Sequence, residues 1–327
     1  MRAKTHVSQN SGDAARLLNI LNAEPKEVYL NDLIEAEDLC MLFGLEGGGK
    51  SYFAQLMSIV LAVGGNWYDK LVAPEPVKVL YVPTEGSEYD IAERFEYPWN
   101  FFSDKQDLIR ENWSYWLPPR LDMSNKSGVK LLKEASKGYN VVFIDSLYSA
   151  FNGSVSDDAK MGEALSGIRE SREPDQAIVV VHHEHRPRRD HEGEYIDEGL
   201  ESIAGSFAIK AWASQIWRYQ KFTEQTGSSK FVPLKKRSRH LHPENFHVEI
   251  DEKSGELTPS GVSSAHSSKG IRSRIKELGE ISRSDAITYG KDYLNIEEST
   301  VDHNIGDLLS EGCIERAARG RYKWIGE

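Results

Sequence analysis

The run Gly44-Leu45-Glu46-Gly47-Gly48-Gly49-Lys50-Ser51 has the spacing G-x-x-x-x-G-K-S. Glycines there let backbone N–H groups converge on an anion without side-chain obstruction. The lysine adds a cation that reaches the outer phosphates, and the serine hydroxyl can ligate a divalent ion. This is the chemistry of a triphosphate cradle. It assigns Gly44, Gly47, Gly48, Gly49, Lys50, Ser51 and Tyr52 to nucleotide, with ATP and Mg²⁺ as the expected ligands. A short apolar run, Leu39 to Phe43, precedes the loop, and the helical pattern SYFAQLMSIVLAV follows it. A helix starting there adds its N-terminal dipole to the same anion. The alternative, an ordinary glycine-rich turn, leaves that strand and helix as a coincidence.

A cradle alone does not name a reaction. Val141-Val142-Phe143-Ile144-Asp145 is an apolar run ending in an acid. Asp145 has the form of the carboxylate that holds Mg²⁺ beside Ser51. Ser146 follows it, so the adjacent acid that could serve as base is missing from that strand. Val77 to Val82 leads into Pro83-Thr84-Glu85. That places Glu85 just past a strand's carboxyl end, the edge where open α/β sheets bind ligands, and a carboxylate there can deprotonate an attacking water. Its other reading is an acid capping the next helix. Ala177 to Val181 ends at His182-His183, where a polar group can touch the γ-phosphate and report its loss. Glu184, His185 and His191 lie close by, but the spacing is not HExxH and no cysteine supports a zinc site. Satisfied structural histidines are the other reading.

The elements that must position these residues follow from the same runs. Buried apolar segments alternating with helical patterns predict βαβ units and a parallel sheet. Further strands are expected over 213–219, 230–234 and 245–250. The chain has 327 residues, 39% hydrophobic and 10% aromatic. At about 150 residues per domain, that is enough for two domains with substantial cores. Forty Lys and Arg against 51 Asp and Glu give a net charge of −11, which excludes a globally basic nucleic-acid coat. Cys40 and Cys313 can build neither a disulfide framework nor a cysteine zinc site, which fits a reducing cytoplasm. No apolar run reaches the ~20 residues that cross a membrane, and the amino terminus lacks the apolar core of a secretion signal. The aromatics Tyr97, Trp99, Phe101, Phe102, Trp113, Tyr115 and Trp116 could stack bases, but packing around an insertion is the expected role.

Residues 1–27 read as an amino-terminal arm with a helical stretch at 14–21, and residues 28–252 as the catalytic domain. The Ser- and Gly-rich 253–267 reads as a linker. Residues 268–327 carry three short helical patterns and two terminal strands around Arg319-Gly320, which predicts a small winged helix-turn-helix domain. Arg319, Arg321 and Lys323 could lie along a phosphate backbone, and Ser299, Thr300, His303 and Asn304 could read a groove. Such modules also dock proteins, here replication or recombination partners, and both readings stay open.

In order along the chain, GLEGGGKS, LYVPTEGS with Glu85, VVFIDSL with Asp145 and VVVHHEH with His182 and His183 resemble the RecA-like ATPase superfamily. Within it they are most similar to the RepA-type hexameric replicative helicases of plasmids and their phage and mobile-element relatives. ESIAGSFAIKAWASQIWRY resembles the stretch after that family's DNA-facing loop, and the likeness covers about residues 28–252. The resemblance implies an α/β fold, a RecA-like P-loop NTPase core with a mostly parallel sheet. It implies a homo-oligomeric, hexameric ring in the cytoplasm of a bacterium or an infected host cell, moving on single-stranded DNA. It also implies active sites between subunits, completed by basic fingers from Lys235, Arg237 and Arg239, as Lys235 with Arg237 or Arg237 with Arg239. Arg186, Arg188 and Arg189 open the loop that would face DNA, although its remainder is acidic. A recombinase, annealing or loader protein using ATP as a conformational switch is the alternative function. A third is a regulator whose terminal domain binds an operator.

Overall fold

A computed structural model of the chain describes residues 14–21, 26–151, 157–185, 199–203, 207–221, 228–238, 243–251, 255–259 and 271–326, apart from 273, 277, 294–297, 311 and 319. Strands occur in chain order as β1 (Val28–Leu30), β2 (Ile34–Glu35), β3 (Leu39–Gly44), β4 (Asn66–Trp67), β5 (Leu71–Val72), β6 (Val79–Pro83), β7 (Trp113–Tyr115) and β8 (Val141–Asp145). They continue as β9 (Ala177–His183), β10 (Gln215–Lys221), β11 (Ser228–Lys236), β12 (Phe246–Ile250) and β13 (Leu257–Pro259). Helices are α1 (Ala14–Leu21), α2 (Lys50–Val63), α3 (Glu88–Phe101), α4 (Gln106–Asn112), α5 (Lys126–Ala135), α6 (Asp158–Ser171) and α7 (Phe207–Trp212).

One nine-stranded sheet has the order β13-β12-β11-β10-β3-β9-β8-β6-β7. From β10 to β7 every pairing is parallel; β11, β12 and β13 add an antiparallel flank. The fold is α/β with a large, mostly parallel central sheet. Its inner strands are buried on both faces, which is why they read as unbroken apolar runs rather than alternating ones. Alternate residues serve opposite layers. Val141 and Phe143 face the layer built on α2, whereas Val142 and Ile144 face the layer built on α6. Helix α2 is buried almost all round and ends at Gly64, whose φ of 55° gives a left-handed cap.

The insertion aromatics pack as expected. Tyr97 and Phe102 belong to the α2-side core, with Trp99, Phe101 and Trp113 against it, and Trp116 packs on the other layer. Tyr115 is exposed and donates to Glu88 at 2.8 Å. Two features differ from the sequence reading. Strand β10 starts and ends two residues later than the expected 213–219, and β11 extends two residues beyond 230–234 at each end. The segment expected as a linker contributes β13, because Leu257 fills the core and its carbonyl accepts from the Tyr97 hydroxyl at 2.5 Å. The large sheet therefore continues to Pro259.

Further along lie β14 (Glu280–Ser282), β15 (Ile314–Ala318) and β16 (Arg321–Trp324), which form an antiparallel sheet in the order β14-β16-β15. Helices Arg283–Tyr293 and Glu298–Ser310 accompany it. Ile271, Ile275, Ile281, Val301, Ile305 and Leu308 make a core separate from those of the large sheet.

Candidate active site

Strand β3 delivers the loop at its carboxyl end, and α2 begins at Lys50 immediately beyond. The turn needs its glycines. Gly47 and Gly49 have φ of 68° and 86°, in the left-handed region that side chains disfavour. A Cβ on Gly44 would sit 2.1 Å from the Tyr219 carbonyl oxygen, so β3 and β10 can pair closely only without one. Lys50 is buried, and its Nζ donates to the Leu45 carbonyl at 2.6 Å, which folds the loop over its own cation. Burial pushes the Lys50 ammonium below its ordinary pKa, while Asp145, Glu184, Glu46 and Glu85 oppose that shift.

A cavity of about 430 Å³ opens over this loop, a size ordinary for ligand sites. Three parallel strands bring their ends to it. Asp145 ends β8 and accepts from the Tyr81 hydroxyl at 2.6 Å. Burial, then the Asp145 charge, raises Tyr81 well above the usual phenol value, so this hydroxyl stays a donor. Pro83 pairs with Asp145, which sets Glu85 beside it at the same edge. Glu85 is exposed, and its Oε1 accepts from Ser146 at 2.7 Å and from Ser149 at 2.6 Å. Burial pushes its carboxyl up, but those two hydroxyls together with His183 and Lys50 hold it below the ordinary value. His183 ends β9 half-buried; burial, then Lys50, lowers its pKa, leaving a neutral imidazole at pH 7. Its Nδ1 is buried without a hydrogen-bond partner among the described residues.

Thus Lys50, Ser51, Glu85, Asp145 and His183 line one cavity, together with Gly47, Gly48, Gly49 and Tyr52. Sequence reasoning missed others that line it: Arg94 on α3, with its guanidinium 5.6 Å from the Tyr52 ring centroid, and Ile250, Asp251 and Gly255 around the end of β12. An arginine nine residues after Glu85 carries no signal until α3 is known to run past the cradle.

Other expected residues lie elsewhere. Lys235 on β11 is opposite Ile216, itself level with Met41 of β3. That register is three residues before Gly44, about 10 Å toward the amino end of the sheet. Its Nζ donates to the carbonyls of Lys210 and Ala213, and Arg237 donates to the Ala211 carbonyl at 2.5 Å. Both side chains are directed at the end of α7 and neither lines the cavity. Glu184, considered for zinc, forms a buried ion pair with Arg218. In the C-terminal unit Arg321 pairs with Glu280 at 3.0 Å, and Lys323 stands between Glu280 and Glu315 on the neighbouring strands. Asn304, expected to read a groove, is fully buried in its helix and cannot meet a base edge. Arg186, Arg188, Arg189, Arg239 and Arg319 lie outside the described residues.

The fit to a magnesium–nucleotide can be judged from the donors. A glycine-lined loop, an ammonium, a serine hydroxyl and a carboxylate converge on one cavity, and a neutral imidazole there has a ring nitrogen to spare. Gly47 to Lys50 would hold the phosphates, and Ser51 with Asp145 would hold the ion. Fold and site together define a P-loop ATPase domain. The family described as AAA domain matches residues 13–189, more than half of the sequence, and the chain belongs to that family.

Among solved structures, the chain is similar to the RadB recombinase, at 14% identity over 68% of this chain and 90% of that one, with a TM-score of 0.45. It is similar to the flagellar accessory protein FlaH from Methanocaldococcus jannaschii, at 15% identity over 69% and 90%, TM-score 0.44. It is also similar to a third solved structure, an ATPase domain, at 13% identity over 68% and 84%, TM-score 0.46. No curated protein gives a significant match. No helix among the described residues is long and apolar enough to cross a membrane.

Proposed function

We propose that this chain is an ATP-dependent DNA motor, a ring-forming replicative helicase with a RecA-like core that hydrolyses ATP between subunits and acts on single-stranded DNA. The observation that carries this reading is the division of its charges. The cations lining the cavity, among the described residues, are Lys50 and Arg94, while Arg237 is exposed at the opposite end of β10 and β11. Phosphoryl transfer needs cationic charge on the outer phosphate, and an arginine supplied from a neighbouring copy changes turnover by about 10³- to 10⁵-fold. A basic group remote from its own cradle suits that task in a second subunit.

In this reading Glu85 accepts a proton from the attacking water, and its lowered pKa keeps it ionised well below neutrality. Neutral His183 contacts the outer phosphate and passes its presence to the chain beyond β9. Bound Mg²⁺ would neutralise charge between the outer phosphates. Single-strand contact falls to Arg186, Arg188 and Arg189. The ion pair of Arg321 with Glu280, and the placement of Lys323 between Glu280 and Glu315 in the strand register, support protein docking by the C-terminal winged-helix unit over contact with DNA.

Electron microscopy with an ATP analogue and single-stranded DNA, paired with a strand-displacement assay, tests the reading. Rings and directional unwinding are expected. Filaments, or annealing that persists without hydrolysis, would assign the recombinase or loader function instead.

A further inference from the structure

Glu85 does not stand alone at the edge of the sheet. Thr84 N–H donates to the Asp145 carbonyl at 2.7 Å, Ser146 N–H donates to Thr84 Oγ1 at 2.8 Å, and Thr84 Oγ1 donates to the Ser146 carbonyl at 2.8 Å. The turns leaving β6 and β8 are thereby stitched together. Above that seam, the Ser146 and Ser149 hydroxyls both donate to the same oxygen of Glu85, Oε1. No hydrogen bond reaches Oε2 among the described residues. Ser146 follows Asp145 directly, where an acid would place the base on the metal-binding strand itself. Here the base comes from the neighbouring strand, and the residue at that position points a donor at it.

We infer that Ser146 and Ser149 are positioning residues for Glu85, holding Oε1 so that Oε2 remains available to the attacking water. The inference rests on the reading of Glu85 as the base. A glutamate has three free side-chain torsions, and an exposed one samples many rotamers. Two hydroxyl donors on one oxygen restrict that sampling and favour the ionised form. Tyr148, between the two serines, sets its ring edge-on to His183 with centroids 6.0 Å apart, so the same turn also touches the group at the end of β9. Misplacing a reacting group by about 1 Å costs on the order of 10²-fold in rate.

The test compares Ser149→Ala, Ser146→Ala with Ser149→Ala, Ser149→Thr and Glu85→Gln, measuring ATP affinity, kcat and the pH dependence of kcat/KM. The double variant is expected to bind ATP as before. Its kcat should fall on the order of 10- to 100-fold, and the acid limb of its profile should move to higher pH as Glu85 regains an ordinary carboxyl pKa. Lys50, Tyr52, Glu46, Asp145, His183, Arg94 and Asp251, the other charged and titratable groups lining the cavity, remain in every variant. Ser149→Ala, at an exposed position, should show the same two changes in smaller measure, and Ser149→Thr should restore both. If Glu85→Gln is inactive while the double variant keeps its kcat and acid limb, the serines do not position the base, although the base itself stands. A fall in kcat with an unmoved limb overturns the inference as well. Normal turnover by Glu85→Gln removes the base and the inference with it.

Discussion

Tyr81→Phe removes the hydroxyl that donates to Asp145, the carboxylate proposed to hold the metal ion. Tyr81 is fully buried in β6, and its hydroxyl donates to Asp145 Oδ2 at 2.6 Å. The substitution keeps the ring stacked on Phe143, at 6.0 Å between centroids, and removes only the donor. A hydrogen bond to a charged group contributes about 1.5–3 kcal/mol. For a domain of this size each kcal/mol moves Tm by about 2–4 °C, so a fall of roughly 3–12 °C is expected in calorimetry. Burial and the Asp145 charge hold the Tyr81 pKa far above the usual value, so the difference should be the same at pH 6 and pH 9. Loss of a group that orients a metal ligand typically weakens the ion about 10- to 100-fold, to be read from the Mg²⁺ dependence of nucleotide binding. A Tm within about 1 °C of the parent, with an unchanged Mg²⁺ requirement, would refute the assignment of Tyr81 and Asp145 to one unit.

Leu257→Ala should destabilise the large domain by about 2–5 kcal/mol in urea unfolding, because β13 belongs to the core and not to a tether. An effect under about 0.5 kcal/mol would return residues 257–259 to a linker role. The acid limb of hydrolysis should lie below the ordinary glutamate value, since the Glu85 pKa is lowered. Its small contribution to stability, limited by exposure, is complete above about pH 4.3 and is lost as pH falls through the lowered value. An acid limb at or above pH 5 in the parent protein would contradict that environment.

What could be read along the chain was what the chain encodes locally. The cradle is a contiguous pattern, and Asp145, Glu85 and His183 each close an apolar run, so strand ends could be located without knowing which strands are neighbours. Relations across the sheet could not be read this way. The pairing of Pro83 with Asp145 brings Ser146 and Ser149 to Glu85, and no sequence period encodes that register. β7 and β13 have three residues each, too few for alternation to show. Leu257 sits among serines, glycines and acids, so composition concealed a core residue. Asn304 looked like a groove reader by type and position, yet its helix turns it inward. The basic run at 234–239 gave its charges but not their direction, which depends on where α7 ends.

If a triphosphate is held by the amides of Gly47 to Lys50 and cleaved through Glu85, removing that carboxylate must leave binding intact and stop turnover. Equilibrium binding of ATP to Glu85→Gln in the presence of Mg²⁺, with analysis of the bound nucleotide over hours, tests this most directly. One nucleotide per chain, recovered as intact ATP, is expected, with loss of that binding when Lys50→Ala is added. Recovery of ADP at the parent rate, or binding unaffected by Lys50→Ala, would contradict it.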